Sequence, residues 1–89
     1  MQPGDASTLI EKGLALFDVG RYEESLTYFD KAISIQPNGL GAIMGEGSAL
    51  SRLGGYEEAI IYFDKVLSME PDHVYTLIEM GVALDDLGR

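Results

Sequence analysis

From Tyr22 to Ile33 the apolar and small residues fall on one side of a helix. Tyr22, Ser25, Leu26, Phe29, Ala32 and Ile33 are spaced i, i+3, i+4, i+7, i+10 and i+11, with Glu23, Glu24, Asp30 and Lys31 off that face. The pattern predicts an amphipathic helix from Tyr22 to Ile35. Glu23 and Glu24 stand in its first turn, where acids complement the helix dipole. Pro37 stops it, because the residue before a proline is steered out of the α region. The stretch Gly20 to Pro37 then returns as Gly54 to Pro71, 34 residues on and without a gap. Tyr56, Ala59, Ile60, Phe63, Val66 and Leu67 take the apolar places in the second copy. Laid on residues 40–73, residues 6–39 agree at 13 of 34 positions. A constant period of this length marks a repeat architecture.

Each unit has a second helical pattern ahead of the first. Leu9, Gly13 and Leu16 form one stripe, and Ile10, Leu14 and Phe17 form another beside it. A helix apolar over that much of its girth is contacted from more than one side. Asp5 is placed to cap it, and Gly20 to turn the chain in a left-handed conformation after it. In the second unit Asn38 is the expected cap, Ile43, Gly47 and Leu50 repeat the stripe, and Gly54-Gly55 turns the chain. In the third, Asp72 is the expected cap, Leu77, Gly81 and Leu84 are the expected core positions, and Gly88 stands where Gly20 and Gly54 stood. Five helices follow, A1, B1, A2, B2 and A3, in one all-α domain over 1–89. Its units run from about 5 to 38, 39 to 72 and, in part, 73 to 89. Short turns make each pair antiparallel, and stacked pairs share one interior.

These residues resemble the tetratricopeptide repeat over nearly the whole chain. Its Leu-Gly-x-x-Tyr core appears as Lys12-Gly13-x-x-Leu16, Glu46-Gly47-x-x-Leu50 and Met80-Gly81-x-x-Leu84. Its Ala-x-x-x-Phe core appears as Ser25-x-x-x-Phe29 and Ala59-x-x-x-Phe63, and its closing proline as Pro37 and Pro71. Leu9, Ile43 and Leu77 replace the usual aromatic residue early in helix A, and leucine replaces the tyrosine. The resemblance implies an α-solenoid, a right-handed superhelix of helix pairs with close approach at Gly13, Gly47 and Gly81. Its A helices line a groove that holds a peptide or helix of a partner. By position the groove is formed by Ser7, Ile10, Leu14, Phe17 and Asp18 from A1. Gly41, Met44, Ser48, Ser51 and Arg52 come from A2, and Tyr75, Ile78, Val82, Asp85 and Asp86 from A3. The candidate partner-binding residues are Ile10, Leu14, Phe17, Met44, Ser48, Arg52, Tyr75, Ile78 and Val82. One subfamily clamps the acidic tail of heat-shock chaperones with lysine and asparagine. The matching positions here are Ile10, Leu14, Ser48, Ile78 and Val82, none of them basic. A carboxylate there loses its water without gaining a charged partner, so that ligand is rejected.

Charge narrows the partner. Fifteen acidic against six basic residues give a net charge of −9. That balance opposes nucleic acid and anionic membranes and favours an apolar or basic-apolar segment. There are no cysteines, hence no disulfide or Cys-based metal site, and a reducing, cytoplasmic setting is expected. No triad, phosphate loop or metal-ligand spacing is present, so a non-catalytic scaffold without a cofactor is expected. His73 reads as a turn residue, and Asp85-Asp86, with Asp18 elsewhere, reads as solvated helix ends rather than a cation site. Tyr28 and Tyr62 are expected to pack through their rings. Gly47 has a packing reason from the repeat, whereas Gly41 and Gly45 have none evident and read as tolerated drift rather than as a helix loosened to fit a ligand. The alternative function is structural self-association. Gln2-Pro3 repeats Gln36-Pro37 and Glu70-Pro71, so both ends fall inside the period, as in a stretch of a longer array or a small protein closed by A3. A closing helix should be polar outside, yet Val74, Ile78 and Val82 stand beside the A3 stripe, so contact between copies through A3 or the groove is the second expectation.

Overall fold

The computed structural model describes residues 5–88, and the Gln2-Pro3 signal lies outside them. The described residues form five helices: α1 (Ala6–Asp18), α2 (Tyr22–Ile35), α3 (Leu40–Arg52), α4 (Tyr56–Met69) and α5 (Val74–Asp86), with no strand among them. They correspond in order to A1, B1, A2, B2 and A3. The molecule is an all-α solenoid in which α2 packs on α1, α3 on α2, α4 on α3 and α5 on α4.

The turns inside each pair are set by glycine. Gly20 and Gly54 have φ of 84° and 88°, in the left-handed region. Gly20 N–H donates to Phe17 O and Arg21 N–H to Leu16 O, and Gly54 and Gly55 repeat both bonds to Ser51 and Leu50. This is the Schellman closure, which satisfies carbonyls that the helix end leaves open. At the front of α1, Asp5 Oδ1 accepts from Ser7 N–H at 3.3 Å, as expected.

Between pairs, the caps differ from the sequence expectation. Helix α3 is capped by Gly39 rather than Asn38, and α5 by His73 rather than Asp72. The cause is the turn that follows each proline. Gly39 N–H donates to Gln36 O at 3.0 Å and His73 N–H to Glu70 O at 3.1 Å, which moves both helix starts one residue on. His73 Nδ1 then accepts from Thr76 N–H at 3.3 Å. The single histidine is therefore a helix cap.

The core is built on two phenylalanines. Phe29 and Phe63 are fully buried. A methyl on Gly13 would stand 2.7 Å from Phe29 Cε1, and one on Gly47 would stand 2.6 Å from Phe63 Cε1. The glycines thus let a B-helix ring lie directly on the A-helix backbone. Gly45 does the same from the other side, since a methyl there would stand 2.5 Å from Phe29 Cζ. The view of Gly45 as a glycine without a packing role is corrected: Phe29 is clamped between Gly13 of its own pair and Gly45 of the next. Gly41 has no such contact, its nearest neighbours being Ile10 carbons at 3.9 Å.

Helix α5 departs from the expected burial. Leu9 and Ile43 are 7% and 1% exposed, but Leu77 in the same place is 48% exposed. Leu84 is exposed too, and a methyl on Gly81 would meet nothing within 4 Å. Among the described residues no second helix lies on that side of α5. Its buried residues are Thr76, Glu79 and Ala83, on a neighbouring face.

A glycine pair separates the two roles. Gly45→Ala is expected to lose about 1–2 kcal/mol in urea unfolding, because the clamped ring cannot move aside. Gly41→Ala is expected to gain up to about 0.5 kcal/mol from helix propensity. Equal stability of the two variants contradicts this packing.

Candidate functional site

The sequence places helices α1, α3 and α5 at the same point of successive units, and the three-residue turns reverse the chain inside each pair. These three helices therefore run the same way and share one side of the molecule. Their side chains enclose a largely apolar pocket of about 210 Å³. Helix α1 supplies Ile10, Leu14 and Phe17, α3 supplies Gly41, Met44, Gly45 and Ser48, and α5 supplies Tyr75. Gly41 and Gly45 contribute to the floor, and the bulk of α1 makes one wall. Leu14 and Tyr75 remain exposed at the mouth, whereas Met44 and Ser48 are buried.

Six of the nine candidate residues thus meet at one pocket: Ile10, Leu14, Phe17, Met44, Ser48 and Tyr75. Arg52 sits at its edge. The guanidinium carbon lies 5.4 Å from the centre of the Phe17 ring, and Nη1 lies 3.5 Å from Glu79 Oε1. Ile78 and Val82 are exposed on α5 and do not line the pocket.

Glu79 is the residue that sequence reasoning missed. It is buried, and its Oε1 accepts from Ser48 Oγ at 3.2 Å as well as facing Arg52. Nearby, buried Thr76 donates from Oγ1 toward Met44 Sδ at 3.0 Å and stands 2.8 Å from His73 Nδ1. Two polar links therefore fix α5 on α3, and both involve pocket residues. Ser48 and Arg52, polar candidates for a ligand, already have partners within the fold. The signal that could have found Glu79 was an acid on the inner side of A3, opposite a serine and an arginine of A2.

The other chemistry-bearing residues do not assemble. Among the described residues no group of three or more His, Asp or Glu could hold a metal ion. None of the described helices is long and apolar enough to cross a membrane. Tyr28 is half-buried, with Lys12 and Lys31 ammonium groups 5.7 and 5.4 Å from its ring centre, and Tyr62 packs against the core around Phe63.

Family models for the tetratricopeptide repeat match residues 6–38 and 41–73. Among solved structures, MamA from Desulfovibrio magneticus RS-1 is 27% identical with a TM-score of 0.87, over 94% of this chain and 48% of that one. The first repeat domain of Spaghetti (RPAP3), bound to the HSP90 peptide SRMEEVD, is 19% identical with a TM-score of 0.93, over 99% of this chain and 70% of that one. YrrB, described as having an unusual peptide-binding site, is 23% identical with a TM-score of 0.83, over 93% of this chain and 42% of that one. The chain spans about half the length of the MamA chain, at 48%. The likenesses to the RPAP3 domain and YrrB are of fold alone. No curated protein matches the sequence.

Removing the α3–α5 link tests its role. Glu79→Ala leaves Ser48 without its acceptor and Arg52 without its counter-charge, a loss of about 1–3 kcal/mol. Amide exchange is expected to quicken along Val74–Asp86 while α1 and α2 keep their protection, since repeat contacts are between neighbours. Unchanged exchange in α5 contradicts the link.

Proposed function

The chain belongs to the tetratricopeptide repeat family, and we propose that it is a non-catalytic scaffold that holds a peptide or helix of a partner protein in the groove of α1, α3 and α5. The observation that supports this most is the glycine-floored apolar pocket. Sites for drug-sized ligands run to about 300–1,000 Å³, and an apolar cavity of about 150 Å³ holds a benzene. At about 210 Å³ the pocket suits one large apolar side chain, an anchor for a longer segment. The segment is apolar or basic-apolar. Net charge is −9, and exposed Asp18, Asp85 and Asp86 lie at the ends of α1 and α5. The cation at the pocket edge, Arg52, is already held by Phe17 and Glu79. For that reason an acidic chaperone tail, such as the peptide in the RPAP3 complex, is not the proposed ligand. The protein works where such partners are met, in the cytoplasm.

A second reading has its own support. Val74, Leu77, Ile78, Val82 and Leu84 of α5 are all exposed. They form a largely apolar surface, with Asp85 at its end, through which a second copy could dock, making the protein a self-association module.

Display selection of short peptides on the folded chain distinguishes the readings. Selected peptides are expected to carry one bulky apolar residue beside lysine or arginine. Leu14→Glu, at a wall residue already exposed, is expected to weaken them at least about tenfold, the loss of one apolar contact and a new unpaired charge. Ile78→Glu is expected to leave peptide affinity unchanged and to abolish any self-association seen by light scattering. Acidic peptides, or affinities indifferent to Leu14→Glu, overturn the proposal.

A further inference from the structure

Glu46, on the side of α3 that packs between α2 and α4, takes no part in the groove. It is 4% exposed, yet its Oε1 is a buried side-chain oxygen without a hydrogen-bond partner. The groups that face it are acidic or neutral: Asp30 from α2, and Glu58 and Tyr62 from α4. Every cation of the described residues is engaged elsewhere. Lys12 and Lys31 lie over Tyr28, and Arg21 pairs with Glu24. Arg52 faces Phe17 and Glu79, and Lys65 Nζ donates to Pro37 O. A carboxylate at Glu46 would thus be dehydrated beside two acids and no counter-ion, a costly arrangement that a proton removes.

We infer that Glu46 is a protonated latch between the two repeats, its carboxylic O–H donated to the Asp30 carboxylate across the α2–α3 interface, and that alkaline solution releases it. Protonation converts the orphaned oxygen into half of a carboxylic acid–carboxylate pair, and the hydrogen bond joins the last helix of one repeat to the first of the next. The electrostatics agree with the geometry. Burial first, then the hydrogen bond and charge of Asp30, then the charge of Glu58, push the Glu46 carboxyl up from 4.5 to about 8. Burial first, and then the charges of Glu46, Asp30 and Glu58, also raise the Tyr62 phenol. Because the folded value lies above the unfolded one, the folded state binds this proton more tightly. The stabilisation is complete below about pH 4.5, declines as pH rises, and is gone above about pH 8. Loss of the proton leaves Glu46, Asp30 and Glu58 in mutual repulsion beside the α2–α3 interface between the pairs.

The test compares thermal unfolding of the full chain with that of Glu46→Gln between pH 6 and 9. Glutamine keeps a donor for Asp30 and cannot ionise. The melting temperature of the variant is expected to gain on that of the parent by on the order of 10 °C across this range. Parallel profiles overturn the inference. A second measurement uses the parent alone: the carbon-13 shift of the Glu46 carboxyl should titrate near pH 8, and Asp30→Asn should move that midpoint down. A midpoint below pH 6 overturns the protonated state, and a midpoint indifferent to Asp30→Asn overturns the latch.

Discussion

The structure depends on an aromatic ring packed directly against a helix backbone. Phe29 and Phe63 are fully buried, and each rests on a glycine of the preceding helix, Gly13 or Gly47. A side chain at either glycine would hold the helices apart and open a void around the ring. Burying a phenylalanine contributes about 1.5–3 kcal/mol, a large share of what an 89-residue chain can muster. Phe29 does more than close its own pair, because Gly45 of the next pair also lies against its ring. One ring therefore joins three helices and sets how closely the second pair approaches the first.

That clamp explains the unusual composition of α3. Nine of its residues are buried, from Ala42 to Ser51, and most are glycine, alanine or serine. A helix wedged between α2 and α4, with α1 and α5 beside it, has little room for large side chains. Small residues accept the close contacts and leave a hollow on the groove side, where α1 and α5 are bulky. The pocket is thus a by-product of the packing that holds the repeats together. The same crowding buries Glu46 against α2 and α4, where the chain supplies no cation. At the other end, α5 is held by Glu79 and Thr76, through polar links rather than by a phenylalanine.

Much of this was legible in the sequence because it is local or periodic. The 34-residue period, the bounds of α2 and α4, the cap at Asp5 and the glycine turns each follow from a few neighbouring residues. What could not be read depends on non-neighbours. Gly45 looked idle because its ring comes from the preceding pair, sixteen residues earlier at Phe29. Asn38 and Asp72 looked like caps because residue type suggested it, but the turns after Pro37 and Pro71 moved the helix starts on. In the groove, the shared register of A helices gathered Ile10, Leu14, Phe17, Met44, Ser48 and Tyr75 at one pocket. It could not reveal that Ile78 and Val82 stand apart from it. Leu77 and Leu84 read as core because their counterparts Leu9 and Ile43 or Leu16 and Leu50 have a B helix beside them, and α5 has none among the described residues.

Urea unfolding of Phe29→Ala tests the ring clamp most directly. Removal of a ring shared by α1, α2 and α3 should cost about 3–5 kcal/mol and lower the midpoint of a single transition for all five helices. A loss below about 1 kcal/mol, or a second repeat that stays folded after the first has melted, would contradict the clamp as the interaction on which the fold rests.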